Sequence, residues 1–376
     1  MSETKAGSVR FAPVILAGGS GTRFWPRSRR SRAKQVLAIE GTRSMIQQTL
    51  ERLAPVAAAA DTWIITNHWL HDVIVEQLPE IPAAHVLSEP CMRNTAPACA
   101  LAAFLMERSA PDTVLGVFPS DQVVKDAPRF AEVLRAGIEL AAAGENIVVL
   151  GITPTRPETG YGYIEQGKET VDASGLKAHR VRRFREKPDF TTAERFVAAG
   201  NFMWNGGIFL WSARTLANAI REYVGEMAAP LEAIAAAYGT PEFEAVFAEE
   251  YPKCENISVD YAVLEPRSVK GEQKSNIFCL PADFGWTDIG SWASLHEHLG
   301  ETDRHNVIDG GTTGIFAIQS AGNYVFAPGK TVALLGVDDL VVVETEDALL
   351  ITTRARSQDV SKLVRQIHEG GREDLI

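Results

Sequence analysis

The stretch Phe11-Ala12-Pro13-Val14-Ile15-Leu16-Ala17-Gly18-Gly19-Ser20-Gly21-Thr22-Arg23-Phe24-Trp25-Pro26 decides how the rest of the chain is read. Its apolar half, Phe11 to Ala17, has the length and bulk of a buried strand and stops at paired glycines. Met45, Ile46, Thr49, Leu50 and Leu53 then recur at helical spacing, so the opening reads strand, long loop, helix. The alternation continues with Thr62 to Thr66 strand-like, Trp69 to Leu78 helical, His85 to Ser88 a short strand and Thr95 to Arg108 a helix. Thr113 to Phe118, Pro128 to Ala143 and Asn146 to Gly151 extend it. Such a series predicts an α/β fold with a mostly parallel sheet and helices on both faces. Ligands of these sheets bind beyond the carboxyl ends of the strands, so the loops after Ala17, Ser88 and Phe118 are expected to share one crevice.

From Thr159 the texture changes to strands such as Tyr161 to Glu165, His179 to Glu186 and Phe202 to Trp211, with Ala-rich helices around Ala228 to Ala237. This half is expected to bind the second reactant. Beyond about Gly300, short β-rich runs (Gly314 to Gln319, Asn323 to Phe326, Val332 to Gly336, Leu340 to Glu344, Ala348 to Thr352) recur between Gly, Asp and Asn, as in a small all-β unit or β-helix. Gln358 to Ile367 reads as a closing amphipathic helix. No low-complexity linker separates the two units, so they are expected to pack together.

Composition narrows the classes. The 376 residues are 45% apolar and 23% charged, enough for two or three domains with a substantial core and unlike a disordered chain. A net charge of −11 argues against a broad nucleic-acid-binding face, so any anion site must be local. The longest apolar run, Ala96 to Met106, suits a buried helix and falls short of a membrane span. Met1 to Arg10 lacks the apolar core of a secretory signal, which makes the cytoplasm the expected location. Cys91, Cys99, Cys254 and Cys279 form no C-x-x-C pair and read as free thiols. His68 and His71 have no carboxylate or Cys at ligand spacing and read as ordinary surface or packing residues.

Closely spaced glycines after a buried strand let main-chain N–H groups approach and point at an anion. The loop that follows is strongly basic, with Arg23, Arg27, Arg29, Arg30, Arg32 and Lys34 between positions 23 and 34. On an acidic chain that cluster needs a reason, and a phosphate cradle supplies one; a solvated basic loop is the plainer alternative. No Gly-Lys pair is present, which argues against a P-loop. Phe24 stands where a dinucleotide fingerprint needs its third glycine, which disfavours hydride transfer.

Gly18-Gly19-Ser20-Gly21-Thr22-Arg23, Trp25-Pro26 and Lys34-Gln35 resemble the signature of the nucleotidyltransferases that make nucleotide sugars. The Phe-Trp-Pro continuation is similar to the mannose-1-phosphate guanylyltransferases among them. Glu89-Pro90 with Arg93 to Pro97, Phe118-Pro119-Ser120-Asp121, Gly160 to Ile164, Phe184 to Pro188, Trp204 to Phe209 and Gly285 to Trp292 continue the likeness in order. Two positions depart from the family pattern: Ala33 replaces a usual Pro and Gln122 a common His.

The resemblance implies a Rossmann-like, glycosyltransferase-A-like nucleotidyltransferase domain over residues 10–300. A small left-handed β-helix-like domain with a terminal helix would occupy 301–376. It further implies GTP and mannose 1-phosphate as substrates, GDP-mannose and pyrophosphate as products, Mg²⁺ as cofactor, and admits a homodimer. Leu16, Ala17, Gly18, Gly19, Ser20, Gly21, Thr22, Arg23 and Lys34 would hold the nucleotide with Glu89, Asn94, Thr95, Ser120 and Asp121. Tyr161, Gly162, Glu186, Lys187, Asn205 and Asp288 would hold the sugar phosphate. Asp121 and Asp288 would clamp the metal, and together with Arg23 and Lys34 form the catalytic set. The blander alternatives are helix caps for Asp121 and Asp288, an exposed ion pair for Glu186 and Lys187, and a turn residue for Asn205. A related pyrophosphorylase for another base or hexose, or a silent nucleotide-sugar sensor, are the competing functions.

Overall fold

The computed structural model describes residues 9–19 and 21–376; Ser20 and the first eight residues, with the readings made of them, lie outside. Strand β1 (Phe11–Leu16) sits between β2 (Trp63–Asn67) and β4 (Val114–Pro119), with β3 (Val86–Glu89) outside β2, all four parallel. Because the chain leaves β1 toward β2 and returns to β4 on the other side, a crevice opens at the carboxyl end of β1. This is the switch point expected of such sheets.

The sheet continues through β6 (Ile147–Ile152), β7 (Tyr163–Ala173), β8 (Leu176–Arg185), β9 (Phe202–Ser212) and β10 (Ile277–Pro281), in the order β3-β2-β1-β4-β9-β6-β10-β8-β7. Strand β9 runs antiparallel to both of its neighbours β4 and β6. Outside this sheet, the short strands β5 (Gln122–Val124) and β11 (Trp286–Asp288) form an antiparallel ribbon that places Asp288 opposite Gln122.

Helix packing follows composition. Helix α1 (Met45–Leu53) begins at a Ser44–Gln47 capping box and buries Met45, Ile46, Thr49, Leu50 and Leu53. The next helices are α2 (His71–Gln77), α3 (Thr95–Glu107) and α4 (Ala127–Ala142). In α3 every residue from Ala96 to Met106 is buried, so it is a central helix covered on all sides rather than a surface one. No helix among the described residues is long and apolar enough to cross a membrane.

Beyond the sheet, β12 (Val307–Asp309), β14 (Tyr324–Phe326) and β16 (Leu340–Glu344) stack in parallel, while β13 (Gly314–Ile318) and β15 (Thr331–Leu335) pair on another face. This alternation is that of a β-helix. The fully buried Asn323 ties its coils together, donating to Asn306 Oδ1 at 2.9 Å and to the Val337 carbonyl at 3.1 Å, and accepting from Leu340 N at 2.9 Å. Strand β17 (Leu349–Thr353) then turns back antiparallel to β16, and the helix Val360–Glu369 follows.

The two units share a core in which Phe24, Trp25 and Met45 meet Trp292, Tyr324, Val341, Leu350 and Val364. The basic loop explains itself here. Arg27 lies 4.1 Å over the Phe326 ring and 3.4 Å from Asp309, Arg29 pairs with Asp347 at 2.9 Å, and Arg30 with Glu373 at 2.8 Å. These three arginines fasten the β-helical unit, and the phosphate-cradle reading of the cluster narrows to Arg23, Arg32 and Lys34.

Candidate active site

The glycine loop is held by its carbonyls. Gln35 Nε2 donates to Ala17 O and Gly19 O, both at 2.9 Å, Thr66 Oγ1 to Ala17 O at 3.1 Å, and Asn67 Nδ2 to Gly18 O at 3.0 Å. Among the described residues, the N–H groups of Gly18, Gly19 and Gly21 have no acceptor, which is the arrangement an anion nest requires. Gly21 adopts φ +61° and a Cβ there would sit 2.7 Å from Lys34 N; a Cβ on Gly19 would meet nothing within 4 Å, because that residue faces the open crevice.

Lys34 is buried, and its Nζ donates to Asp121 O at 2.8 Å and Asp121 Oδ2 at 3.0 Å, with Asp288 Oδ1 3.8 Å away. The β5–β11 ribbon thus brings carboxylates from positions 121 and 288 to one ammonium. Burial and the Asp121 carboxylate raise the Asp288 pKa above the usual carboxylate range, against Lys34 and Arg23. The site holds one negative charge more than Lys34 can balance. Arg23 is exposed at the crevice rim, its Nη1 3.2 Å from where a Gly290 Cβ would be.

Gln122 faces away from the carboxylates. Its Nε2 donates to Gly206 O at 2.8 Å, joining the aspartate loop to the Asn205-Gly206-Gly207 turn. Behind it, Arg52 donates to Gln122 O at 2.8 Å. Ser120 is buried and its N–H donates to Leu16 O at 3.2 Å, closing the ends of β1 and β4.

A cavity of about 580 Å³ opens beside the loop, lined by Gly18, Gly19, Glu89, Asn94, Asn205 and Asp260 among others. Glu89 is buried and accepts from the Tyr251 hydroxyl at 2.5 Å. Burial pushes its carboxyl up to about 7 even though the tyrosine hydrogen bond pulls the other way. Asn94, at φ 67°, caps α3 by accepting from Thr95 N at 2.9 Å, while Thr95 Oγ1 accepts from Val259 N at 3.0 Å. Asn94 and Thr95 both border the cavity, with the Thr95 hydroxyl already engaged as an acceptor.

Glu186 lies beyond Asn205 and Asp260, outside the cavity lining; it is buried, pairs with Lys187 at 3.0 Å, and leaves its Oε2 without a hydrogen-bond partner. A Cβ on Gly162 would lie 2.4 Å from that oxygen, so only a glycine lets the carboxylate pack this closely against the main chain there. Lys187 holds φ 40°, a conformation that non-glycine residues seldom adopt. Asn205 donates to Asp260 Oδ1 at 2.9 Å and accepts from Gly207 N at 3.0 Å. Burial and Glu186 together raise the Asp260 pKa. Tyr161 packs edge-on against Trp204 and Trp286, with ring centroids 5.3 and 5.7 Å apart, beside the β5–β11 ribbon.

Asp260, Gln35, Thr66, Asn67 and Arg52 are the site's supporting residues that sequence reasoning passed over. Only Gln35 carried a signal, its place beside Lys34; the others are ordinary polar residues whose partners lie far away in the chain. Among the described residues no three or more His, Cys, Asp or Glu side chains gather as a metal cluster.

A nucleotidyl transferase family model matches residues 12–304, and a mannose-phosphate isomerase/GMP-like β-helix domain model matches 315–367. The chain is 37% identical to a mannose-1-phosphate guanylyltransferase of Escherichia coli K12 over 367 residues, covering 96% of this chain and 74% of that protein. It is likewise 37% identical to the mannose-1-phosphate guanylyltransferase RfbM of Salmonella typhimurium LT2, covering 97% and 74%. A crystal structure described as mannose-1-phosphate geranyltransferase from Thermus thermophilus superposes with a TM-score of 0.83 at 29% identity, covering 96% of this chain and all of that one.

Proposed function

The chain belongs to the nucleotidyl transferase family, within its mannose-1-phosphate guanylyltransferases, and from that premise we propose that it joins GTP and α-D-mannose 1-phosphate into GDP-mannose and pyrophosphate. The observation that carries this is the pairing of Asp121 and Asp288 on Lys34 at the mouth of the glycine loop. A phosphate oxygen of the sugar phosphate attacks the α-phosphorus of the triphosphate, and the bond to the bridging oxygen breaks to release pyrophosphate. Two polyanions must meet in line, so positioning and charge compensation supply the catalysis.

In this reading the N–H groups of Gly18, Gly19 and Gly21 bind the triphosphate, and Arg23 reaches over it from the rim. The Glu89 carboxylate, when ionised, accepts the N1–H and N2–H₂ donors of guanine, a pair that adenine, uracil and thymine do not present together. Lys187 neutralises the sugar phosphate as a point charge. Glu186, with Oε2 unpartnered, accepts from a sugar hydroxyl above Gly162, and Asn205 and Asp260 complete that wall.

The residues present fit a divalent cation: two part-exposed carboxylates share a single ammonium, and hard oxygen donors completed by substrate phosphates suit Mg²⁺. Asp121 and Asp288 would hold it. When bound it supplies positive charge against the phosphate oxygens, which Lys34 alone cannot. Magnesium as the ion, a cytoplasmic location and a homodimeric assembly belong to the same reading. The test is a pyrophosphate-release assay that crosses four nucleoside triphosphates with several hexose 1-phosphates, in which GTP with mannose 1-phosphate is expected to give the highest kcat/KM.

A further inference from the structure

A second hollow, of about 610 Å³, lies outside the crevice between the end of β8, helix α5 (Phe190–Ala199) and the turn after Glu265–Ser268. Four arginines line it, Arg182, Arg183 and Arg185 from β8 and Arg195 from α5. On a chain of net charge −11 this is an unusual local excess of cations. Two carboxylates answer them: Glu165 accepts from Arg182 at 3.3 Å and Arg183 at 3.1 Å, and Glu265 pairs with Arg185 at 3.2 Å. Arg195 makes no direct ion pair among the described residues; it donates to the Thr192 hydroxyl at 3.0 Å, which itself donates to the nearby Asp189 at 2.9 Å.

The hollow has a rigid floor. Phe196 and Phe202 stack at 4.0 Å, and the half-exposed Arg183 guanidinium lies 5.8 and 5.9 Å from their ring centroids. Guanidinium groups bind phosphoryl oxygens bidentately. With four arginines against Glu165, Glu265 and the nearby Asp189, the hollow keeps one positive charge in excess for a ligand.

We infer that this hollow is a second binding site, for a small molecule bearing a diphosphate group. It stands apart from the reading of the crevice. Its wall nevertheless runs into the acceptor pocket, since Arg185 is followed by Glu186 and Lys187. The ring of Phe184 lies 3.2 Å from where a Gly162 Cβ would be. The Phe184 N–H, in turn, donates to the hydroxyl of Ser268, a lining residue, at 3.1 Å.

The experiment is calorimetric titration of inorganic pyrophosphate, in metal-free buffer at low ionic strength, into the wild-type chain and into Arg183→Gln/Arg195→Gln. The double variant is expected to lose one equivalent of binding or weaken it by at least about tenfold, the scale of two lost charge-assisted contacts. Arg195→Gln alone, which breaks no ion pair, should weaken the same equivalent by at least about threefold and guards against a folding defect. Arg304→Gln/Arg356→Gln, on exposed arginines elsewhere, removes the same charge and should leave binding unchanged. Wild-type binding in the Arg183/Arg195 variants, or an equal loss in the control pair, would overturn the site.

Discussion

The indole N–H of Trp25 donates to the main-chain carbonyl of Leu375 across 2.8 Å, while the carbonyl of Trp25 itself accepts from the indole of Trp292 at 3.1 Å. One residue of the glycine-loop signature is therefore fixed both to the C-terminal unit and to the helix that follows Asp288. The loop carrying Arg23 and the strand carrying Asp288 are positioned from the same anchor.

Trp25→Phe removes the donor together with part of a buried ring. It should lower unfolding stability by more than about 1 kcal/mol, since a cavity is added to the lost bond. It should also reduce kcat more than it raises either KM, because the two catalytic loops lose their common tether. Urea unfolding with parallel steady-state kinetics checks both, and unchanged kinetics at reduced stability would confine Trp25 to holding the units together.

Asp121→Asn and Asp288→Asn should each cut kcat by about two orders of magnitude or more, since each removes an interaction that strengthens with transition-state charge. Full activity in either variant would remove that aspartate from the metal pair.

Gly162→Ala places a methyl 2.4 Å from Glu186 Oε2, so the carboxylate must move. KM for mannose 1-phosphate should rise by about tenfold or more while KM for GTP changes little, as befits uniform binding lost on one side. Equal rises for both substrates would contradict the division of the cavity.

The carboxyl of Glu89, pushed up to about 7 by burial, gives a pH signature. Only its ionised form accepts both guanine donors, so KM for GTP should rise as the pH falls through about 7. Tyr251→Phe removes the hydrogen bond that pulls this pKa down and should move the same loss to higher pH. A GTP profile flat between pH 6 and 8 in the wild type would remove Glu89 from base recognition.

The first strands, the buried α3 and the carboxyl-end crevice were legible because long apolar runs and paired glycines leave few alternatives. The ribbon of β5 and β11 was not: three-residue strands have no period to read, and the ribbon joins segments about 160 residues apart. The antiparallel insertion of β9 between β4 and β6 is likewise a tertiary fact. Strand β7 extends to Ala173 through Gly167, Lys168 and Glu169, where its register with β8 is irregular, and pairs with β8 again from Thr170 to Ala173; that bulged, polar stretch hid its length. Among the site residues, Asp121, Lys34 and Glu186 were recognised from motifs. Asp260 sits in a segment with no such mark, yet it lines the cavity and accepts from Asn205. Arg27, Arg29 and Arg30 were grouped with the phosphate loop because charge is visible in sequence and partners such as Asp309 and Glu373 are not.

Transfer of a guanylyl group to mannose 1-phosphate in this crevice is read out by pyrophosphate release from GTP, ATP, UTP and dTTP with mannose 1-phosphate and other hexose 1-phosphates. The highest kcat/KM with GTP and mannose 1-phosphate, accompanied by GDP-mannose in equal amount to pyrophosphate, is the predicted result. A preference for another triphosphate or hexose, or no turnover with any pair in the presence of Mg²⁺, would contradict it.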